Sequence, residues 1–226
     1  MNAPLITKDA EVLWDVPTGT EIIIVEKLES FSEQPGYEFI KRVFDFTASV
    51  ILLIVLMLPM LLIGMIIVLT SPGGAIYCQT RLGKNEVPFT LYKFRTMHKD
   101  AEEDGLRWAE ENDERVTAFG KWLRSTRMDE LPQLVNILLG QMSFVGPRPE
   151  RPEFYELFDS YIDGFRQRML VMPGLTGLAQ VSGGYDLLPE EKIVYDIQYI
   201  KERSFRMDLC CLFKTLGVVV DHNGAR

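Results

Sequence analysis

Cysteine and histidine are scarce: three of the first and two of the second stand among 226 residues. Cys78 is alone and Cys210 and Cys211 are adjacent, so no disulfide framework can be drawn through them, and a reducing compartment is the natural setting. His98 and His222 are isolated, and no zinc-type spacing exists. A basic stripe with interleaved aromatics is also missing, and the formal net charge is −8, which speaks against a nucleic-acid partner. Nothing recurs at a period of roughly 20–50 residues, so a solenoid is excluded and one main domain is the default at this length. The N-terminus lacks the basic-then-apolar order of a signal peptide, and none is expected.

The acidity itself is local. Residues 1–39 hold eight acids against two bases and carry −6 of the charge, leaving the other 187 residues nearly balanced. With Pro4, Pro17, Pro35 and Gly36 and one apolar run, Ile22–Val25, this stretch reads as a loosely ordered acidic tail with at most one short strand or helix.

Phe46 to Leu69 then gives 24 residues without a charge, a membrane segment. As a helix it extends about 36 Å, enough to cross a hydrocarbon core of about 30 Å. Pro59 divides it, however, and both flanks are basic: Lys41 and Arg42 before it, then Arg81, Lys84, Lys93 and Arg95 after it. Basic flanks prefer the cytoplasmic side, and a helix that breaks near Pro59 and returns to the face it entered satisfies both. Many spanning helices also carry a proline kink, so the residues alone leave spanning and re-entrant readings open.

Downstream of the Ser71–Gly74 turn cluster, residues 75–97 read as two extended runs joined at Gly83-Lys84-Asn85, and residues 99–115 as a charged, solvated connection. Helical patterns follow at Val116–Met128, Pro132–Leu139, Glu153–Leu170 and Glu190–Val220. The fold class expected is α+β, mostly helical with a few short strands, organised as the tail (1–39), the membrane helix (40–70) and a catalytic domain (71–226). The apolar stripe within Tyr195–Val220 fits an interfacial amphipathic helix and a core helix equally well, and Cys210 and Cys211 within it read as small buried apolar residues.

The chemistry concentrates at residues 117–152. Pro132 suits the first turn of a helix and restrains the residue before it, so the adjacent carboxylates Asp129 and Glu130 fall just ahead of a helix start. Arg124 and Arg127, three apart, are expected on one helical face, and Arg148 is braced between Pro147 and Pro149. Cations of this number suit a phosphate substrate. A carboxylate approaching a diphosphate meets like charge at a cost of about 4 kcal/mol for each pair of unit charges at about 4 Å and an effective dielectric near 20, so cations must gather round it. A divalent ion such as Mg²⁺ bridging carboxylate and phosphate is the usual further device.

The segments KRVFDF (41–46), LYKFRTM (91–97), MDELPQLVNILLGQMSFVGPRPE (128–150), PGLTGLAQVSG (173–183) and SFRMDL (204–209) resemble the bacterial sugar transferases called monotopic phosphoglycosyl transferases. The resemblance spans roughly residues 40–220. It implies a re-entrant membrane helix with its break at Pro59, and a catalytic domain on the cytoplasmic face of the bacterial inner membrane. It implies transfer of a sugar phosphate from a UDP-sugar to undecaprenyl (polyprenol) phosphate with release of UMP, the initiating step of polysaccharide or glycoconjugate assembly. Asp129 would be the nucleophile and Mg²⁺ ligand, Glu130 its support, and Lys93, Arg95, Arg124, Arg127 and Arg148 the substrate-binding cations. Membrane lipid is then a further partner; the motifs allow a homo-oligomer without requiring one. The competing reading is a non-catalytic membrane scaffold of the same pathway, which would need none of these charges. Three features depart from the pattern: Leu58 precedes Pro59 where serine is common, the loop before Gln79 reads SPGGAIYCQ where a proline and a bulky aromatic residue are more usual, and Gly184 stands where arginine is usual.

Overall fold

The computed structural model describes residues 5–6, 12–13, 22–28, 31–99, 101, 106–107, 113–183 and 187–221. Three two-residue strands lie in the acidic tail: β1 (Leu5–Ile6), β2 (Val12–Leu13) and β3 (Ile23–Ile24). The tail is thus more structured than its composition predicts. Helix α1 (Pro35–Thr70) begins inside it, with proline in the first turn. Strands β4 (Ile76–Leu82) and β5 (Pro88–Phe94) form the expected antiparallel hairpin, and β6 (Leu106–Arg107) pairs with β1. Most of the connection 99–115 lies outside the described residues.

Next come α2 (Ala118–Ser125), a 3₁₀ turn at Met128–Glu130, α3 (Gln133–Leu139), β7 (Ser143–Val145), α4 (Pro152–Asp159) and β8 (Ile162–Asp163). A 3₁₀ segment (Phe165–Leu170), β9 (Gly174–Thr176), α5 (Leu178–Ser182), α6 (Pro189–Glu202) and α7 (Phe205–Asp221) complete the chain. The single helix read over Glu153–Leu170 is therefore two pieces. Between them Gly164 takes φ +94 and β8 pairs in parallel with β3, so a strand contact from the tail wins over local helical spacing.

Helix α1 is the one described helix long and apolar enough to enter a membrane. It stays helical on both sides of Pro59, which lies in its interior and not at a gap. Both of its ends dock on the same domain. Near the start, Lys41 pairs with Asp208 at 2.8 Å, Arg42 donates to the carbonyls of Ile137 and Leu138 at 2.6 and 2.8 Å, and Asp45 accepts from the Phe144 amide at 3.1 Å. Near the end, Ile63 and Ile67 pack with Phe94 and Leu123 in a small apolar cluster. The outward face, including Ile54, Leu58 and Leu69, stays exposed. An apolar helix anchored to one domain at both ends is compatible with a re-entrant membrane helix, since a span would separate its ends by the bilayer.

Arg42 also explains how α3 ends. Gly140 adopts φ +79 at the C-cap, its amide donating to the Ile137 carbonyl at 3.0 Å, and the guanidinium of Arg42 reaches the carbonyls of Ile137 and Leu138 in the last turn. Asn136, fully buried in α3, fixes the other neighbour: its Oδ1 accepts from the Tyr92 amide at 3.1 Å, and its Nδ2 donates to Thr90 O at 2.6 Å and Gln141 Oε1 at 2.8 Å. Asn136→Ala orphans these groups beside strand β5 and is expected to destabilise the chain by roughly 2–4 kcal/mol, read from the midpoint of denaturant unfolding.

The main core lies beneath the hairpin and α4, where Phe154, Phe158, Tyr161 and Phe165 stack with Ile162, Ile193 and Ile200. Arg168 and Asp196, 2% and 1% exposed, are paired there at 2.7 Å. The C-terminal stripe divides between its two readings. Helix α6 is core, burying Ile193, Ile197, Tyr199 and Ile200, whereas α7 leaves Phe205, Leu209, Phe213 and Leu216 exposed. Those positions lie on one helical face, as an interfacial helix requires. Cys211 is buried but Cys210 is exposed, so only one of the adjacent pair is a core residue.

Candidate active site

Thr117 caps α2, its hydroxyl accepting from the Gly120 amide at 2.9 Å, and α2 stops at Ser125. Arg127 then takes the left-handed conformation, φ +59, and the chain enters the 3₁₀ turn bearing Asp129 and Glu130. Arg124 and Arg127 therefore do not share a helical face. The helix closes between them, and the left-handed residue re-aims the chain so that both carboxylates point inward, each 7% exposed. Leu131 follows and packs into the Ile63–Phe94–Leu123 cluster, which ties the turn to α1.

Opposite stands the Gly146-Pro147-Arg148-Pro149 loop. It leaves β7, which pairs in parallel with β9, and it passes close to the neighbouring backbone: a Cβ on Gly146 would sit 2.2 Å from the Met172 carbonyl. Only glycine permits that approach. Arg148 is thereby brought over the turn, where its Nη2 donates to Glu130 Oε1 at 2.6 Å. From β5, Lys93 Nζ reaches the same oxygen at 3.1 Å.

The adjacent carboxylates are held in opposite electrostatic states. Burial would raise the pKa of Glu130, but Arg148 and Lys93, with Arg127 behind them, overcome it and hold the carboxyl well below its ordinary 4.5. Asp129 receives no hydrogen bond from any described residue. Its burial pushes its pKa above 3.8, Lys93 pulls it back, the Glu130 charge raises it again, and Arg124 and Arg148 partly offset that; the net direction is up. One carboxylate is locked to cations. The other is an oxygen donor beside them to which no described residue donates.

Linkage gives these states opposite signs. Glu130, with its pKa depressed, contributes stability that is present above 4.5 and lost as pH falls through the folded value. Asp129, with its pKa raised, is most favourable below 3.8 and loses stability as pH rises through the folded value. Near neutral pH, Asp129→Asn is expected to raise the thermal midpoint by a few degrees, and Glu130→Gln to lower it by several, at about 2–4 °C per kcal/mol for a chain of this size. Two thermal melts check both signs.

The remaining candidates separate. Arg124 lies near Asp129, its Nε held by the Thr96 hydroxyl at 2.9 Å. Arg95 does not join them: it donates to the carbonyls of Pro72 and Ser71 at 2.7 and 2.8 Å, and so fixes the chain leaving α1. Its basic character fitted a substrate role, but it stands just past the end of β5 and reaches the helix end. Gly184 lies outside the described residues. Sequence reasoning missed Gln133, which is 1% exposed one turn beyond Asp129; its spacing of four from the aspartate was the available signal. It missed Arg81 too, which pairs with Glu150 at 3.2 Å behind Arg148.

Among the described residues no group of three or more histidine, cysteine, aspartate or glutamate side chains surrounds a metal position. Two adjacent carboxylates, one already paired with cations, fit an ion that keeps most of its water and is shared with a substrate's phosphates, as Mg²⁺ commonly is.

Residues 36–222 match the family model described as bacterial sugar transferase. The chain belongs to this family. It is 41% identical over 203 residues to a UDP-N-acetylgalactosamine-undecaprenyl-phosphate N-acetylgalactosaminephosphotransferase of Aeromonas hydrophila, covering 88% of this chain and 48% of the relative. It is 42% identical over 181 residues to a UDP-glucose:undecaprenyl-phosphate glucose-1-phosphate transferase of Klebsiella pneumoniae (78% and 39%), and 40% identical over 190 residues to one of Caulobacter vibrioides (82% and 71%). The chain spans about half the length, 48%, of the Aeromonas sugar transferase.

Proposed function

We propose that this sugar transferase moves a sugar phosphate from a UDP-sugar onto undecaprenyl phosphate through a covalent intermediate on Asp129. An Asp129 carboxylate oxygen attacks the phosphorus that bears the sugar, the bond from that phosphorus to the UMP oxygen breaks, and UMP departs. A phosphate oxygen of the lipid carrier then attacks the same phosphorus and the bond to Asp129 breaks. Covalent relay of this kind divides one displacement into two.

The observation that carries the reading is the split between the two carboxylates. Glu130 accepts from both Lys93 and Arg148, while Asp129, buried beside the same cations, accepts from no described residue. A nucleophile needs free lone pairs, and cations already placed lower the repulsion of an arriving diphosphate. Asp129, supported by Glu130, is the residue for a Mg²⁺ ion. When bound, the ion would neutralise phosphate charge and align the attack. Lys93, Arg124, Arg127 and Arg148 are the proposed phosphate contacts.

The same-face docking of α1 and the exposed apolar face of α7 support a protein seated on the cytoplasmic leaflet of a bacterial inner membrane, where an isoprenoid phosphate presents its headgroup. Mg²⁺-dependent release of one UMP per chain from UDP-N-acetylgalactosamine or UDP-glucose, continuing over many turnovers only when undecaprenyl phosphate is present, tests the reading. Release of UDP instead would replace it with direct glycosyl transfer, and no nucleotide release from any UDP-sugar would leave a scaffold.

A further inference from the structure

Gln133 is buried in a way its neighbours do not explain. Its side-chain nitrogen is enclosed and donates to no described residue, although the residue is only 1% exposed. A buried amide without an acceptor disfavours the free state, and such groups in native chains call for a reason. The side chain lines a small cleft with Arg81, Leu91, Arg148 and Pro149. Arg81 brings a second enclosed donor without a partner among the described residues, its Nε, while the rest of its guanidinium is held by Pro149 O at 3.1 Å, by Glu150 at 3.2 Å and by Gln79.

The backbone aims this cleft at the chemistry. Between the 3₁₀ turn and α3, Leu131 (φ −54, ψ −37) and Pro132 (φ −62, ψ −17) remain helical, so Asp129 and Gln133, four residues apart, leave the same side of one run. Arg148 links the two, lining the cleft with Gln133 and donating to Glu130 beside Asp129.

We propose that the Gln133 amide donates to a non-bridging oxygen of the phosphoryl group that Asp129 accepts, with Arg81 Nε and Arg148 completing the cradle. This deepens the transfer reading and rests on it. An anionic oxygen is the ligand that suits two guanidinium groups and an amide N–H. A neutral donor also serves this position better than a third cation, because Arg81 and Arg148 already repel one another across the cleft.

The test compares the full chain in detergent micelles with Gln133→Leu and Gln133→Glu. Each variant is expected to lose about 10²–10³-fold in kcat/KM for UMP release, the usual effect of removing one oxyanion donor. The ligand-free thermal midpoint should hold or rise, since leucine removes an unpaired polar group and glutamate gains two guanidinium neighbours. Inorganic phosphate should raise the wild-type midpoint and neither variant's. Retention of kcat/KM within about threefold of wild type would overturn the assignment. So would a lowered midpoint in Gln133→Leu with an unchanged phosphate response, which would make Gln133 a packing residue. If wild type releases no nucleotide from either UDP-sugar, the transfer reading fails, yet the phosphate response still decides this site. A response in wild type alone upholds it, and equal responses or none reject it.

Discussion

Asp129→Asn is expected to abolish UMP release, with a fall of about 10⁴-fold or more, while the purified chain remains folded and melts slightly higher than wild type. The two outcomes come from the same atoms. Amide for carboxylate is nearly isosteric, so the turn at Met128–Glu130 and the packing of Leu131 are preserved, but the nucleophilic lone pairs are lost. The charge removed is one that burial disfavours, which is why stability should rise. A structural aspartate would behave differently. If it served to hold Lys93 or Arg148, its loss would lower the midpoint, as is expected for Glu130→Gln. Mass analysis of wild type incubated with UDP-sugar but without lipid acceptor gives the complementary check, an adduct of one hexose phosphate on the peptide containing Asp129. Full activity in Asp129→Asn would end the assignment.

The parts of this arrangement visible in the sequence were those set by local rules. Pro132 foretold a helix start, Gly83-Lys84-Asn85 a hairpin turn, and the uncharged run before Ser71 a membrane helix, because each depends on neighbours within a few residues. The carboxylate pair and the proline-braced Arg148 were legible as chemistry for the same reason. What periodicity could not show was pairing across the chain. KRVFDF and SFRMDL meet through Lys41 and Asp208, 167 residues apart, with Tyr37 and Tyr199 donating to the same carboxylate at 2.7 and 2.8 Å. Arg127 escaped because its left-handed φ is unusual for a residue with a Cβ, and spacing rules assume the helix continues. Arg95 was read from its charge alone, and the helix end whose carbonyls it reaches is a contact across 23 and 24 residues that spacing does not show.

These long-range contacts explain how a membrane helix can position a reacting group. Arg42 of α1 caps the C-terminal end of α3, whose other end follows Asp129 and Glu130, and Asp45 of α1 holds the Phe144 amide in β7, just before Gly146 and Arg148. The Tyr199 hydroxyl, whose one proton is shared with the shorter bond to Asp208, also reaches Val145 O on the same strand at 3.2 Å. Both halves of the site are thus braced from the membrane side, and a shift of α1 would move the carboxylates and Arg148 together.

Arg148→Met should give the second large effect, because it removes one of the two cations on Glu130 and one of the proposed phosphate contacts. Glu130 would keep Lys93 at 3.1 Å but lose its shorter bond at 2.6 Å, inside a site where its side chain is 10% exposed. A stability loss of roughly 2–3 kcal/mol is expected, below the usual penalty for breaking a buried pair because one partner remains. Its pH dependence identifies the cause. With less positive charge beside it, the folded pKa of Glu130 rises towards 4.5, so acid unfolding should begin at higher pH than in wild type. Transfer should fall by about 10²–10⁴-fold, and Arg148→Lys should restore part of the stability but little of the rate, since an ammonium cannot reproduce the planar fork that spans Glu130 and a phosphate oxygen. Recovery of the full rate by lysine would reduce Arg148 to a point charge and remove the directional role assigned to it.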